Sequence, residues 1–199
     1  MNFAVLGAGA WGTALALHLH RCGHTVTLTA RRLEHAADMA SDRENSDYLP
    51  GYSIPSDLQL GHEVKPALME ADVVILACPA KGLRALCEEI AGYRDSSWGI
   101  SALVAVCKGL DPETLELPVE VLREVLPGYP AGVLSGPNHA GGLAEGLPSA
   151  SVLAFSEETP WIRDLQAAFS NESFRLYFSD DPVGVSLGGS LKNVFAIAS

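Results

Sequence analysis

Two lysines stand where a lysine side chain can act on an anionic or oxygen-bearing ligand. Lys108 follows the apolar run 102–106, so its ammonium is expected at the carboxyl end of a strand, where it can hold an oxyanion or a phosphate. The alternative is an ordinary surface lysine. Lys192 lies in a stretch that is otherwise apolar and rich in glycine, where it either reaches solvent or occupies a polar site. Desolvation beside another cation lowers the pKa of a lysine, which can then transfer protons near neutral pH, with Asn193 available to orient it.

A glycine pattern at the N-terminus predicts a dinucleotide-binding loop. The apolar run 3–6 leads directly into G-x-G-x-x-G. Gly7 allows a tight turn, Gly9 leaves the backbone open to a pyrophosphate, and Gly12 lets the next helix pack against the strand. That helix, expected over 10–21, directs free N–H groups toward the phosphates. The alternative is a glycine-rich turn that binds nothing.

The end of the second strand favours NADP over NAD. An NAD-type site places Asp or Glu about 20 residues beyond the glycines, where it binds the ribose 2′-hydroxyl. This chain has Arg31 and Arg32 there instead, and two guanidinium groups suit a 2′-phosphate. The alternative is that one or both are solvated surface arginines.

Two further turns are expected to face the same crevice because each follows a strand. In the segment LSGPNHAGG, Gly136 and Pro137 shape the turn, and N–H groups between Asn138 and Ala140 can open a helix toward an anion. Pro79 follows another strand, where it either walls the nicotinamide region or simply begins a helix. A plain strand-to-helix turn is the alternative for both.

The order of elements predicts an α/β fold with a doubly wound, mostly parallel sheet of the Rossmann type. Residues 41–57 are expected to form a loop, and Pro118 to interrupt a helix. The predicted strands are 3–6, 26–29, 58–60, 72–77, 102–106, 132–134, 151–155 and 174–177. The predicted helices are 10–21, 32–40, 66–70, 81–91, 112–126, 159–169 and 183–199.

Composition limits the classes of partner. The net charge of −11 argues against a broad nucleic-acid or anionic-membrane surface, and no apolar stretch is long enough to span a bilayer. The N-terminus lacks a basic leader, so a cytoplasmic location is expected. The four cysteines have no C-x-x-C spacing and are interpreted as reduced structural thiols. His18 and His20 fall on different helix faces, so no metal site is predicted.

The last segment predicts a domain boundary. Residues 1–181 are expected to form the dinucleotide-binding domain, and 182–199 the start of a helical substrate domain that is truncated here. The helix over 183–199 carries small and apolar residues and has no C-cap signal. We therefore expect a further domain, or a second subunit in a homodimer, to cover it.

Six motifs together closely resemble the bacterial type of NAD(P)-dependent glycerol-3-phosphate dehydrogenase. The motifs, in chain order, are GAGAWGTALA, NSDYLPG, CKGL, LSGPNHA, GLPSA and GGSLKNVFAIA, and the match extends from residue 1 to residue 199. The resemblance implies an N-terminal Rossmann domain followed by a helical domain. It also implies interconversion of dihydroxyacetone phosphate and sn-glycerol 3-phosphate with NADP, favoured, or NAD, supplying phospholipid synthesis.

The resemblance also implies residue roles. Lys192 matches the proton-transferring lysine, Lys108 a lysine that contacts substrate and cofactor, and Gly136 and Asn138 substrate-contacting positions. Further cofactor-binding positions are Ala10, Trp11, Arg31, Arg32, Tyr48 and Ala140.

The chain departs from the family pattern at three charged positions and in its length. Gly141 and Gly142 replace a Lys-Glu pair, and Ser186 replaces a glutamate. The resemblance implies a helical domain that carries the family's substrate-phosphate grip; we expect this domain to be missing from the chain and substrate affinity to fall. Two alternatives therefore stay open: a catalytically incompetent NADP-binding fragment, and another two-domain hydroxyacid dehydrogenase of the 6-phosphogluconate type.

Overall fold

The computed structural model describes residues 1–93 and 99–198, the last seven of these as helical backbone only. The strands are β1 Asn2–Leu6, β2 Thr25–Thr29, β3 Glu44–Asn45, β4 Leu49–Ser53, β5 Gln59–Gly61, β6 Val73–Leu76, β7 Ala102–Ala105, β8 Ala131–Ser135, β9 Ser149–Ala154 and β10 Phe174–Ser179. The helices are α1 Ala10–Arg21, α2 Leu33–Asp42, α3 Val64–Met69, α4 Leu83–Gly92, α5 Pro118–Val125, α6 Ala140–Glu145, α7 Pro160–Phe169 and α8 Pro182–Ala198, with a 3-10 turn over Ala80–Gly82.

An eight-stranded sheet organises these elements in the order β10-β9-β8-β7-β6-β1-β2-β5. The six neighbouring strands β5, β2, β1, β6, β7 and β8 all run parallel. Strand β9 pairs antiparallel with β8 and parallel with β10. Strand order reverses between β1 and β6, because β2 and β5 extend the sheet on one side of β1 and β6 to β10 extend it on the other. In such a sheet, ligands bind outside the carboxyl ends of the strands at this reversal. The predicted doubly wound, mostly parallel sheet is confirmed.

Two apolar layers hold the helices against the sheet. Along β1, Phe3 and Val5 pack into the layer beneath α1, α2, α6 and α7, while Ala4 and Leu6 pack into the layer beneath α3, α4 and α5. Residues 3–6 are each at most 2% exposed, as expected for a strand covered on both faces.

Two local expectations were wrong. Residues 41–57 contain the antiparallel hairpin β3–β4, which packs against α1 and α6. The helix predicted over 112–126 begins only at Pro118. Proline is favoured at the first helical position, and the Glu120 carboxylate accepts a 2.7 Å hydrogen bond from the Leu117 N–H there. Pro118 therefore starts this helix rather than interrupting it.

Within the described part of the chain, no helix combines the length and apolar character that crossing a membrane requires.

Candidate functional site

The turn after β1 has the shape of a phosphate-binding loop. Gly7 has φ +122°, and a Cβ there would lie 2.8 Å from the Ala77 backbone. A Cβ at Gly12 would lie 2.0 Å from the Gly7 carbonyl oxygen. A Cβ at Gly9 would instead meet nothing within 4 Å. Two glycines are thus required by the packing of the protein itself, whereas Gly9 faces open space into which a ligand can come.

Helix α1 directs its positive end at that open space. The N-cap residue Gly9 offers no side chain, so none caps the helix, and its carbonyl accepts the first helical bond from Thr13 N–H at 2.9 Å. The earlier N–H groups of the helix remain available to an anion. Ala10 and Trp11, in the first turn, are partly buried against the core. Loop and helix together fit the pyrophosphate of a dinucleotide, as the glycine pattern predicts.

The predicted 2′-phosphate residues lie where the sequence places them. Arg31 and Arg32 are exposed just beyond the carboxyl end of β2, and Arg32 Nη2 lies 3.6 Å from Asp47 Oδ2. Asp47 belongs to the turn between β3 and β4, as does Tyr48, which is half exposed and whose ring centroid lies 5.2 Å from that of His35. The hairpin turn therefore lies beside one of the two arginines that are predicted to bind a 2′-phosphate.

Lys108 reaches the neighbouring strand end. Its Nζ donates a 3.0 Å hydrogen bond to the carbonyl oxygen of Gly136, which follows β8. A Cβ at Gly136 would lie 2.7 Å from Ser151 Oγ, so only glycine fits at this position. The structure thus brings Lys108 and Gly136 together, as expected from the alignment of parallel strand ends.

A cleft of about 520 Å³ opens beside this contact. Its lining includes Gly136, Asn138, His139 and Tyr177. The Asn138 amide nitrogen donates a hydrogen bond to Ser151 Oγ, so this side chain is held at the wall of the cleft. Gly136 and Asn138, the two predicted substrate positions outside the lysines, therefore share one cavity. Ala140 begins the short helix α6 and is partly buried against the core.

Helix α8 is attached to the loop that carries Lys108. Ser190 Oγ accepts from the Gly109 N–H and donates to the Gly109 carbonyl, each at 3.1 Å. A Cβ at Gly189 would lie 2.6 Å from Ser135 Oγ and 3.8 Å from Lys108 Cγ. Glycine thus allows the helix to approach this loop closely. Lys192 lies in the next turn of the same helix, but its side chain and that of Asn193 lie outside the described residues.

An ionic cluster fixes the chain beyond Lys108. Asp111 accepts hydrogen bonds from the N–H groups of Glu113 and Thr114, at 3.0 and 2.9 Å. These bonds, Thr114 first, lower the pKa of the Asp111 carboxyl, and nearby Arg84 adds to the effect. Arg84 also contacts Glu116 and, at 2.7 Å, Glu124, which raises the pKa of its guanidinium. The loop after Lys108 is therefore anchored to α4 and α5.

The cysteines near the crevice are not activated. Burial raises the pKa of Cys78 to about 11 and the pKa of Cys87 and Cys107 to about 12. These thiols stay protonated at neutral pH, and the nucleophilic species is the thiolate. All four cysteines are free, in line with the expectation of reduced thiols.

The comparisons with known proteins agree with this geometry. The family model described as NAD-dependent glycerol-3-phosphate dehydrogenase N-terminus matches residues 2–160. The chain belongs to this family. A relative from Neisseria gonorrhoeae named glycerol-3-phosphate dehydrogenase, NAD(P)+, is 42% identical over 200 residues, covering 100% of this chain and 60% of the relative. A relative of the same name from Thermus thermophilus is 45% identical and covers 100% of this chain and 59% of its own length.

Solved structures of this family share the fold. The glycerol-3-phosphate dehydrogenase of Coxiella burnetii superposes with a TM-score of 0.90 at 33% identity, over 99% of this chain and 59% of that protein. The chain therefore spans about three fifths of the length of the relatives that it matches.

Three polar residues of the site were missed by the sequence analysis. Asn45 holds the glycine loop, Ser151 holds Asn138, and Ser190 holds Gly109. Asn45 and Ser190 lie inside motifs used for the family resemblance, and Ser151 directly follows another. Their hydrogen-bond partners are distant in the sequence, so the motif letters alone carried no signal of these contacts.

Proposed function

We propose that this chain forms the dinucleotide-binding part, and one wall of the substrate site, of a glycerol-3-phosphate dehydrogenase. The observation that carries the proposal is the juxtaposition of Lys108 and Gly136 beside a cleft, at the same strand ends as the open Gly9 loop. The proposed reaction interconverts dihydroxyacetone phosphate and sn-glycerol 3-phosphate with NADP, or with NAD.

The proposed mechanism assigns separate tasks to the chain's own residues. A nicotinamide dinucleotide, when bound, would supply hydride to the ketone carbon or accept it from the alcohol carbon. The Lys108 ammonium stabilises negative charge on the substrate oxygen, because a fixed cation at a partly desolvated strand end needs no reorganisation. Lys192 transfers the proton of that oxygen, a role that the family resemblance supports. Gly136 and Asn138 contact the substrate from the cleft wall.

The proposed dinucleotide residues come from the segments that follow β1, β2 and β8 and from the turn between β3 and β4. The N–H groups of Ala10 and Trp11 would hold the pyrophosphate, and Tyr48 and Ala140 would contact the dinucleotide. Arg31 and Arg32 would bind a 2′-phosphate, and their two guanidinium groups support NADP as the preferred form.

We further infer that α8 begins a second, helical unit, with the boundary after residue 181. Leu187 and Leu191 on this helix are 44% and 38% exposed, which supports a covering partner: further helices, as the greater length of the relatives suggests, or a second copy of the chain. The four free thiols support a cytoplasmic location, where thiols stay reduced.

Measurements of NADPH binding and of NADPH oxidation test this proposal. We expect NADPH to bind the chain and dihydroxyacetone phosphate to accelerate NADPH oxidation. Lys192→Ala should abolish this oxidation, because the lysine acts on the reacting oxygen. The NADPH dissociation constant of this variant should change by no more than about threefold. Reduction of NADP⁺ by a 6-phosphogluconate-type hydroxyacid, without any reaction of dihydroxyacetone phosphate, would instead reassign the substrate. NADPH binding without any substrate-dependent oxidation would show that the chain binds the dinucleotide but does not catalyse the reaction.

A further inference from the structure

Asn45 joins three elements around the glycine loop although it lies on the β3–β4 hairpin. It is 0% exposed. Its Nδ2 donates to the Ala8 carbonyl oxygen at 2.9 Å and to Thr13 Oγ1 at 2.7 Å. Its Oδ1 lies 2.9 Å from His35 Nε2 on α2. One buried amide thus connects the hairpin with the loop, with α1 and with α2.

The orientation of this amide follows from its partners. A backbone carbonyl only accepts hydrogen bonds, so the Asn45 atom that faces Ala8 O is the nitrogen. The oxygen then faces His35, and His35 Nε2 carries the proton that it donates. Both N–H groups and the oxygen of the Asn45 amide are therefore satisfied, which is what a fully buried amide requires.

The contact with Ala8 controls the direction of a loop N–H. The C=O of Ala8 and the N–H of Gly9 belong to one planar trans peptide, so they point in opposite directions. With Ala8 O held on Asn45, the Gly9 N–H points away from the hairpin. The Thr13 contact holds the first turn of α1 at the same time. Asn45 thus fixes the peptide at the position where the loop is open.

The other side of the network leads to the outer edge of the site. His35 donates to Asn45 and packs its ring 5.2 Å from that of Tyr48. Asp47, beside Tyr48, faces Arg32 at 3.6 Å. The glycine loop and the hairpin turn are therefore held in one arrangement through a single buried side chain.

We propose that Asn45 is the positioning residue of the dinucleotide site, and that it sets the loop of residues 7–12 relative to the turn that carries Tyr48. This inference rests on the proposed dinucleotide function of that loop. It goes beyond it in assigning the preorganisation of the loop to a residue outside the G-x-G-x-x-G pattern. A preorganised loop binds more tightly because less ordering remains to be done when the ligand arrives.

The test compares Asn45→Asp with a control substitution at another hydrogen-bonded asparagine, Asn171→Ala. Asn45→Asp keeps the shape of the side chain but places an oxygen against the Ala8 carbonyl. Asn171 serves as the control, because its Oδ1 accepts three hydrogen bonds of 2.7–3.1 Å in the turn before β10. The readouts are the NADPH dissociation constant by calorimetry, amide hydrogen exchange of residues 8–13 in the free chain, and the thermal midpoint.

We expect Asn45→Asp to raise the NADPH dissociation constant about tenfold or more, as the loss of a buried, oriented hydrogen bond allows. Exchange across residues 8–13 should become faster before any ligand is added. Asn171→Ala should lower the thermal midpoint while the dissociation constant changes less than about twofold and the exchange of residues 8–13 does not change.

A second pair of variants keeps the inference testable if Asn45→Asp does not fold. His35→Phe preserves the ring against Tyr48 but removes the donor to Asn45, whereas His35→Gln retains a donor. Weaker NADPH binding in His35→Phe, with recovery in His35→Gln, supports the positioning role. Unchanged affinity and unchanged exchange in both series overturn it. A wild-type chain that binds no NADPH overturns the proposed function instead, and exchange in the free chain then decides the role of Asn45 alone.

Discussion

At the scale of single residues, the charge of Arg32 is expected to decide between NADP and NAD. Arg32 is more than half exposed and faces Asp47 at 3.6 Å. An exposed ion pair of this kind contributes little to stability, so Arg32 can exchange Asp47 for a phosphate at small cost. A 2′-phosphate would add a doubly charged partner with several acceptor oxygens.

Replacement of Arg32 by alanine should therefore weaken NADPH binding selectively. We expect the NADPH dissociation constant to rise about tenfold, and that of NADH to change less than about twofold, because only NADPH carries the phosphate. Calorimetric titration of both dinucleotides measures the two constants. Equal losses for both would refute the 2′-phosphate role of Arg32.

Replacement of Asp47, which faces Arg32, should have the opposite effect on NADPH binding. Its carboxylate faces the cation that the phosphate would need, and it would repel a phosphate bound there. Asp47→Asn should thus tighten NADPH binding by about threefold and leave NADH binding unchanged, since one exposed charge pair is involved. The gain should disappear at high salt, where exposed charges are screened. A similar gain for NADH would show that Asp47 acts on the common part of the ligand.

At the scale of elements, the turn between β1 and α1 contains one glycine that packing requires and one that ligand binding is expected to require. Gly9 has φ −76°, which alanine adopts without strain, and a Cβ there has no protein neighbour within 4 Å. A Cβ at Gly12 would collide with the Gly7 carbonyl at 2.0 Å. The two glycines of one motif therefore have different reasons to be glycine.

Alanine at each position should give opposite results. Gly12→Ala should lower the free energy of unfolding by about 1–3 kcal/mol, because overpacking forces the backbone apart. Gly9→Ala should change stability by less than about 0.5 kcal/mol but weaken NADPH binding at least about tenfold, since its methyl group occupies the space of the ligand. Urea unfolding and calorimetry measure the two quantities. Strong NADPH binding by Gly9→Ala would mean that the pyrophosphate does not approach this backbone.

At the scale of the whole molecule, the sequence predicted the strands and helices that local patterns of apolar and turn residues indicate. It missed the elements that depend on contacts with residues distant in the sequence. The sheet and most helices followed from apolar runs separated by turn residues, as in 73–76 and 102–105. The β3–β4 hairpin was missed because β3 has only two residues and β4 contains Pro50 and Gly51, so neither shows a strand pattern. Its stability comes from packing against α1 and α6 and from Asn45.

The site was predictable to the same extent. Lys108 and Gly136 could be placed together because strand ends of a parallel sheet meet at one edge. Ser151, which holds Asn138, lies on β9, whose antiparallel direction the alternation of elements did not indicate. Contacts that depend on strand order and direction become visible only in the folded chain.

The fold as a whole should lose stability in mild acid through His18. This residue is 0% exposed, its Nε2 lies 2.6 Å from the Phe169 carbonyl, and its ring packs on Phe174. Since a carbonyl only accepts, Nε2 carries the proton of the neutral ring. The remaining nitrogen, Nδ1, is buried without a hydrogen-bond partner among the described residues. Burial, the largest effect, lowers the pKa of His18 below 6.5.

The sign of the pH dependence follows from that shift. Below about pH 6.5 the unfolded chain binds a proton at His18 that the folded chain does not, so stability falls as pH decreases toward the lowered pKa of the folded state. Above pH 6.5 the His18 contribution is constant. His18→Gln, which can still donate to Phe169, should flatten the decline between pH 7 and pH 5.5 in urea unfolding, whereas His62→Gln at an exposed position should retain it. An equally steep decline in His18→Gln would assign the acid sensitivity between pH 7 and pH 5.5 to a group other than His18.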